Sequence, residues 1–95
     1  MKAYIIADVN ITDPKLYEEY KKLTPGSLVP FDGKFIVRGG QTEVLEGIWD
    51  TGRLVVLEFP SLEKANAWYA SDIYAPAKTI RHAASVSKMI VVQGM

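Results

Sequence analysis

The apolar positions of the chain switch between two periodicities. Segments rich in β-branched and aromatic residues predict short strands, and the stretches between them repeat apolar residues at helical spacing. The predicted strands are Lys2 to Val9, Lys34 to Trp49 as a hairpin or one bent strand at Gly39-Gly40, Arg53 to Phe59, and roughly Val86 to Val92. The element order is therefore strand, helix, bent strand or hairpin, strand, helical region, strand.

Capping residues mark where the helices begin. Asp13-Pro14 predicts the start of the first helix. The Asp13 carboxylate can accept hydrogen bonds from the free N–H groups of the first turn, and Pro14 occupies a position where no N–H is needed. Ser61 is an N-cap for a second helix, and Pro76 lies in the first turn of a further helix that ends near Ala83. We expect Thr24-Pro25-Gly26 to interrupt the first helix, because proline lacks the N–H that a helix interior uses.

This order predicts an α+β, ferredoxin-like fold, in which an antiparallel sheet carries its helices on one face. Alternation along the strands makes both faces of the sheet apolar, and the helices cover only one. The other face is expected to present Ile6, Leu54, Val56, Met89 and Val91. Exposed apolar patches of that size are unusual on monomers. The pattern therefore predicts a homodimer built sheet to sheet.

Composition narrows the class of protein. The 95 residues include 48% hydrophobic residues, 11 Lys and Arg against 11 Asp and Glu, and no cysteine. This length and the lack of any repeat or linker indicate one domain over residues 1–95. Zero net charge argues against nucleic-acid binding, and the absence of cysteine excludes disulfides and thiolate metal sites. No long apolar run suggests a membrane span and the N-terminus has no export signal, so we expect a cytoplasmic protein.

Five segments, in order, resemble the DUF1330 family. They are Asp13-Pro14 with Tyr17 and Tyr20, Phe35 to Gly40, Glu43 to Gly47, Leu54 to Ser61, and Ala65 through Trp68-Tyr69-Ala70-Ser71 to Tyr74 and Arg81. The resemblance covers nearly the whole chain and implies a dimeric α/β barrel similar to antibiotic-biosynthesis monooxygenase domains. The family's activity is unassigned. Thr24 to Pro30 departs from the helical character of relatives, which affects the rim of the expected pocket.

Arg81 and Tyr74 are the candidate catalytic residues. They lie seven positions apart, which places them on one helix face, where a guanidinium and a phenol can hold a carboxylate or an enolate. Trp68 and Tyr69 are candidate ligand-binding residues that form an aromatic wall. Alternatively, Trp68 and a tyrosine belong to the core, and Arg81 pairs with a carboxylate across the dimer.

Arg38 is the third candidate ligand-binding residue. The glycines after it permit a bend or the close approach of a ligand, and an arginine at such a bend can reach into a cleft. The alternative is that Gly39 and Gly40 only bend the strand, and Arg38 is solvated or contacts the dimer partner.

Two carboxylates and one histidine complete the candidates. Asp8 and Glu58 are expected near the same ends of parallel neighbouring strands, where they form either a general base or, more simply, ion pairs with Arg38, Arg53 or Lys88. His82 is interpreted as a surface residue, since a lone histidine is a poor metal site, and the alternatives are an axial haem ligand or a general base. No metal and no cofactor are predicted.

The sequence supports a small organic ligand, aromatic or enolisable and either neutral or anionic, bound between sheet and helices. A cofactor-free oxygenase or isomerase is one hypothesis. The alternatives are a non-catalytic ligand-binding module and a purely structural dimer, so whether the protein is an enzyme stays open.

Overall fold

The computed structural model describes all 95 residues. Its strands are β1 (Ala3–Ile11), β2 (Lys34–Arg38), β3 (Arg53–Phe59) and β4 (Ser85–Gln93), and its helices are α1 (Pro14–Leu28), α2 (Leu62–Tyr69) and α3 (Ala75–Ala84), with a 3-10 turn at Val29–Phe31 after α1. Capping occurs where the sequence predicts it: Asp13 Oδ1 accepts from Leu16 N at 3.1 Å and Ser61 Oγ accepts from Lys64 N at 3.1 Å. No helix has both the length and the apolarity to cross a bilayer.

The sheet has the order β2-β3-β1-β4, and every neighbouring pair is antiparallel. This is the ferredoxin-like α+β fold that the element order predicts. The predicted parallel pairing of β1 with the strand 53–59 is wrong, because a helical crossover joins β1 to β2 and β3 inserts between them. As a result Asp8 lies opposite Leu54 and Glu58 lies opposite Tyr4, so the two carboxylates are at opposite ends of the pair.

The helices cover one face of the sheet, and the core lies there. Alternate residues of β1 and β3 are buried against the helices, together with Trp68 and Tyr74, which are both fully buried. Their rings pack 4.0 Å apart between centroids, and Trp68 also packs 5.6 Å from the Phe59 ring. The strand residues that pack into this core include Ala3, Ile5, Ala7, Val9, Phe35, Val55, Leu57, Phe59 and Met89.

The opposite face carries no layer, and the molecule is only 17 Å thick in its shortest direction. We call this surface the open face; its apolar members are Tyr4, Ile6, Val37, Leu54, Val56, Ile90 and Val92. Met89 and Val91 were predicted here, but they pair with Ala7 and Ile5 and face the helices. Ile90 and Val92 take their place, because the register of β4 was one residue away from the predicted one.

Helix α1 runs through Pro25 instead of ending before it, which corrects the predicted interruption. A proline inside a helix leaves the carbonyl four residues earlier without its N–H donor, and here that carbonyl belongs to Lys21. Arg38 of β2 fills the gap, since its Nη2 donates to Lys21 O at 3.1 Å. A side chain that is distant in sequence therefore replaces the hydrogen bond that proline removes.

The predicted continuation of extended structure from Thr42 to Trp49 is also wrong. β2 ends at Arg38, and residues 39–52 contain neither strand nor helix. Between Gly40 and Thr51 the only backbone hydrogen bond runs from Thr51 N to Trp49 O, at 3.1 Å. We call residues 40–51 the arm. The pattern of apolar residues in the arm is typical of a strand, but no other strand of this chain lies beside it to form hydrogen bonds.

Candidate functional site

A narrow cleft lies between α1 and the helix-covered face of the sheet. Its floor is made by strand residues, its walls by α1 and Trp68, and its innermost polar group by Arg81 of α3. The lining residues are Ile5, Ala7, Val9, Tyr17, Tyr20, Lys21, Thr24, Phe35, Arg38, Arg53, Val55, Leu57, Trp68, Arg81 and Met89. The empty space is about 430 Å³ including the open mouth, but the interior leaves only about 20 Å³. That interior holds about one water molecule.

The charge of this lining is one-sided. All three arginines of the chain and Lys21 take part, and no aspartate or glutamate does. Lys21 has its own partner, Glu18 Oε1, at 3.0 Å. The arginines have none, because every ion pair of the protein is made by a lysine. The chain is neutral as a whole, and yet it gathers its guanidinium groups around one narrow space.

Arg81 is the most buried of these cations, with 3% of its surface exposed. Its Nε donates to Tyr74 Oη at 3.2 Å, and Tyr74 Oη in turn lies 2.9 Å from Tyr20 Oη. Burial by itself lowers the pKa of Arg81, but the phenol oxygens of Tyr74 and Tyr20 outweigh it and the net pKa is raised. Arg81 is therefore a permanent buried cation, and such groups ordinarily have an anionic partner.

Arg53, the first residue of β3, supplies a second inward-facing cation. Its guanidinium carbon lies 5.8 Å from the centroid of the Tyr17 ring, and its Nε is buried with no hydrogen-bond partner. Gly39 makes room for it. That glycine has a φ of +70°, and a Cβ there would overlap the Arg53 guanidinium. Glycine at position 39 thus allows the positive φ of the backbone and leaves space for the Arg53 side chain.

Arg38 sits at the mouth of the cleft and is exposed. Its guanidinium carbon lies 4.3 Å from the centroid of the Phe35 ring, and one of its nitrogens holds the Lys21 carbonyl. Since a guanidinium has five N–H donors, these contacts leave donors free for a ligand at the rim. Arg38 consequently combines a structural task in α1 with a position at the cleft entrance.

The two tyrosines on α1 complete the polar part of the cleft. Burial, with a further contribution from Tyr20, raises the pKa of Tyr17; burial, with a further contribution from Tyr74, raises the pKa of Tyr20 well above its ordinary range. Both phenols are therefore neutral at pH 7. They can donate a hydrogen bond to a bound anion, but they are poor general bases.

The candidate residues from the sequence fall into different places. Tyr74 contacts Arg81 as the helical spacing suggests, but it is fully buried and lies behind the cleft, not in its lining. Trp68 is part of the cleft wall, and its Nε1 donates to Ser27 Oγ at 3.0 Å. Tyr69 points elsewhere: its ring faces Lys78 Nζ at 4.2 Å and lines a separate groove with Met89 and Ile90.

The carboxylate and histidine candidates are also separated. Asp8 accepts from Gly52 N at 2.8 Å and from Trp49 Nε1 at 3.1 Å, so it anchors the base of the arm. Glu58 pairs with Lys2 at 3.2 Å and Lys34 at 3.3 Å, partners other than those predicted. His82 is exposed, as predicted, with Nε2 at 3.4 Å from Arg81 Nη2. No group of three or more His, Cys, Asp or Glu side chains is placed to hold a metal ion.

Sequence reasoning missed Arg53, Tyr17 and Tyr20 as members of the site. Tyr17 and Tyr20 were named as part of the family resemblance, and in the structure both are buried residues of α1. The alternation of β3 could have identified Arg53, because Arg53 lies on the same face of the strand as Val55 and Leu57. An arginine on the helix-covered face of a strand is the signal that could have identified it.

Fold and site together define a ferredoxin-like domain with an arginine-lined, acid-free cleft. The chain belongs to the family described as "Domain of unknown function (DUF1330)", whose model matches residues 2–95. No curated protein matches the chain.

Solved structures with the same fold include proteins of known and of unknown function. RPA0582 of Rhodopseudomonas palustris, a protein of unknown function, is 19% identical with a TM-score of 0.76, over 99% of this chain and 82% of that one. A dimeric ferredoxin-like protein of unknown function from Jannaschia sp. is 9% identical with a TM-score of 0.73, over 99% and 100%. SnoaB of Streptomyces nogalater, a cofactor-independent oxygenase, is 14% identical with a TM-score of 0.67, over 99% and 93%. At these identities the likeness establishes the fold alone.

Proposed function

We propose that the protein binds a small organic anion, with a carboxylate or enolate group, in the cleft between α1 and the sheet. The observation that carries this proposal is the buried guanidinium of Arg81, which has phenol and imidazole contacts but no carboxylate partner. A bound anion supplies the missing charge. Arg53 supports the same conclusion, because its buried Nε is an unused donor.

The dimensions of the cleft restrict how such a ligand lies. Only a small group enters the interior of about 20 Å³, so the anionic head is the part that reaches Arg81 and Arg53. The remainder of the ligand lies along the apolar wall near Phe35 and Val55, toward the mouth where Arg38 stands. This arrangement favours a carboxylate or enolate with a flat apolar or aromatic body.

A catalytic role is the second candidate: a cofactor-free oxygenase or isomerase acting on an enolisable compound. Its support is the fold shared with SnoaB and the combination of guanidinium and neutral phenol donors, which stabilises an enolate oxygen. The cleft lining has no carboxylate or imidazole to remove a carbon-bound proton. Binding of an anion that is already formed is therefore the function that the site supports best.

The working unit in this proposal is a homodimer. The open face leaves Ile6 36%, Val92 42% and Ile90 60% exposed in the isolated chain. Covering it with a second sheet buries those residues. A dimer is supported by the neighbouring ferredoxin-like proteins, which are described as dimeric.

Calorimetry and thermal unfolding with matched ligands test the anion site. Benzoate and pyruvate are compared with their neutral counterparts benzamide and pyruvamide. We expect at least one of the acids, and neither amide, to raise the melting temperature and to give measurable heat. Arg81→Met should abolish the effect, whereas Lys15→Met removes an exposed charge of equal sign and should leave it intact. If an amide stabilises the protein as well as its acid, or Arg81→Met binds like the wild type, the anion clamp is wrong.

Turnover separates a binder from an enzyme. An acid that binds is incubated with the protein in an oxygen electrode and, separately, in D₂O followed by NMR. Consumption of O₂ supports an oxygenase, and exchange of a carbon-bound proton supports an isomerase. Neither is expected for a binding module.

A further inference from the structure

The arm is the least explained part of the chain. It has almost no backbone hydrogen bonds, and its largest apolar side chains are exposed: Leu45 at 95%, Ile48 fully and Trp49 at 57%. A loop that only connects two strands is ordinarily polar and much shorter. Apolar side chains this exposed indicate a surface that another molecule covers.

The arm is nevertheless held in place at its base. Asp8, on the open face, binds both Gly52 N and Trp49 Nε1, and the hydroxyls of Thr42 and Thr51 lie 3.1 Å apart. These contacts fix the base of the arm, whereas Leu45 and Ile48 remain exposed. Such a segment, fixed at its base and apolar at its exposed tip, can pack against a partner molecule.

The accessible surface agrees with an unpartnered region. It is 6131 Å² for the chain, whereas a folded monomer of 10.6 kDa is expected to expose about 5,500 Å². The arm and the open face are continuous, because Val44, Leu45 and Trp49 of the arm share a hollow with Leu54 of the open face. One contact can therefore cover both.

Charge points to a second copy as the occupant. The arm contains Glu43, Glu46 and Asp50 and no basic residue, and none of these acids forms an ion pair within the chain. The open face presents Lys88, which also lacks an ion pair. An acidic, apolar arm and an apolar face with a free lysine are complementary, and two copies related by a two-fold axis satisfy both pairs at once.

We propose that the arm of each protomer packs onto the second copy of the chain, with Leu45 and Ile48 buried in the partner. The homodimer is then held by exchanged arms in addition to the open faces. This inference rests on the dimer of the proposed function, and it adds the segment that makes the dimer specific.

Sedimentation velocity on three isoleucine variants tests the arm separately from the sheet. Ile48→Asp changes the arm, Ile90→Asp changes the open face, and Ile73→Asp is the matched control, 53% exposed in the turn between α2 and α3. We expect Ile48→Asp to raise the dimer dissociation constant at least tenfold and Ile73→Asp to leave it unchanged, with circular dichroism confirming that each variant folds.

The other possible results contradict either the arm inference alone or the dimer as a whole. If Ile90→Asp dissociates the dimer while Ile48→Asp stays within twofold of the wild type, the arm inference is wrong and the sheet-to-sheet dimer stands. If the wild type is a monomer, or neither variant weakens a dimer, both are wrong. Anion binding in the cleft is judged by calorimetry and does not depend on this outcome.

Cross-linking identifies which protomer the arm touches. Unlabelled and ¹⁵N-labelled protein are mixed, refolded and treated with a carbodiimide, which joins a carboxylate directly to a lysine. Cross-links from Glu43 or Glu46 should include mixed-label pairs. If they occur only within one label, the arm folds onto its own protomer and the proposal fails.

Discussion

The two faces of the sheet use the same kinds of residues for opposite purposes. On the covered face, helices bury the apolar side chains and at the same time enclose the arginines, so this face is packed but has unpaired positive charge. On the open face, the charges are paired or exposed and the apolar side chains have no cover. The covered face lacks an anion and the open face lacks a covering surface, which is why we propose a ligand for the first and a second chain for the second.

The two tryptophans give the largest contrast between these regions. Trp68→Ala removes a fully buried ring and should lower the free energy of unfolding by about 3–5 kcal/mol. Trp49→Ala removes a half-exposed ring from the arm and should cost less than about 1 kcal/mol once no partner is present. Urea unfolding of both changes in an Ile90→Asp background measures the difference without a contribution from dimerisation. Equal losses would mean that the arm is packed against its own protomer.

Arg81→Met tests whether the buried cation belongs to a binding site or to the core. A cation without an ionic partner costs free energy to bury, so methionine of similar length should leave the unliganded protein within about 1 kcal/mol of the wild type or make it more stable. Urea unfolding without added anions checks this. A loss above about 3 kcal/mol would make Arg81 a structural residue and remove the main support for the anion site.

A double-mutant cycle measures the contact between Arg38 and α1. Arg38→Met should cost about 1 kcal/mol, because Lys21 O loses its only replacement for the hydrogen bond missing at Pro25. In a Pro25→Ala background the backbone N–H at position 25 can bond to that carbonyl, so the same change should cost less than half as much. If the cost is equal in both backgrounds, Arg38 does not compensate for the proline.

The smallest expected effect is a pH dependence on the open face. A hydrogen bond from Lys2 lowers the pKa of Glu58. Partial desolvation opposes this shift, and Lys34 adds to it. The folded state therefore binds the proton less readily than the unfolded chain, in which a glutamate has a pKa of about 4.3. This contribution to stability is present above that pH and is lost as the pH falls through the folded pKa.

The comparison of urea midpoints at pH 6 and pH 3 should show a smaller decrease for Glu58→Gln than for the wild type. Glu63→Gln is the matched control, because Glu63 forms no ion pair. An identical decrease in Glu58→Gln and wild type would show that the lysine bridges contribute nothing.

Local signals in the sequence were sufficient for the fold. Capping by Asp13 and Ser61, the alternation of β1 and β3 and the order of the elements all depend on neighbours a few residues apart, and these were correct. The errors occurred where the deciding contact is remote. Pro25 continues a helix because Arg38 reaches it, and the arm is not a strand because nothing of its own chain pairs with it.

By itself, then, the amino-acid sequence determined the ferredoxin-like architecture, the apolar excess on both sheet faces and the placement of Arg81 beside Tyr74. Only the tertiary structure decided that Arg53, Arg81 and the neutral phenols of Tyr17 and Tyr20 share one cleft, and that Tyr69, Asp8 and Glu58 lie outside it. The reason is physical: periodicity and capping report which way a residue faces in its own element, whereas a site depends on sheet register and on helix placement, which bring together side chains separated by dozens of residues.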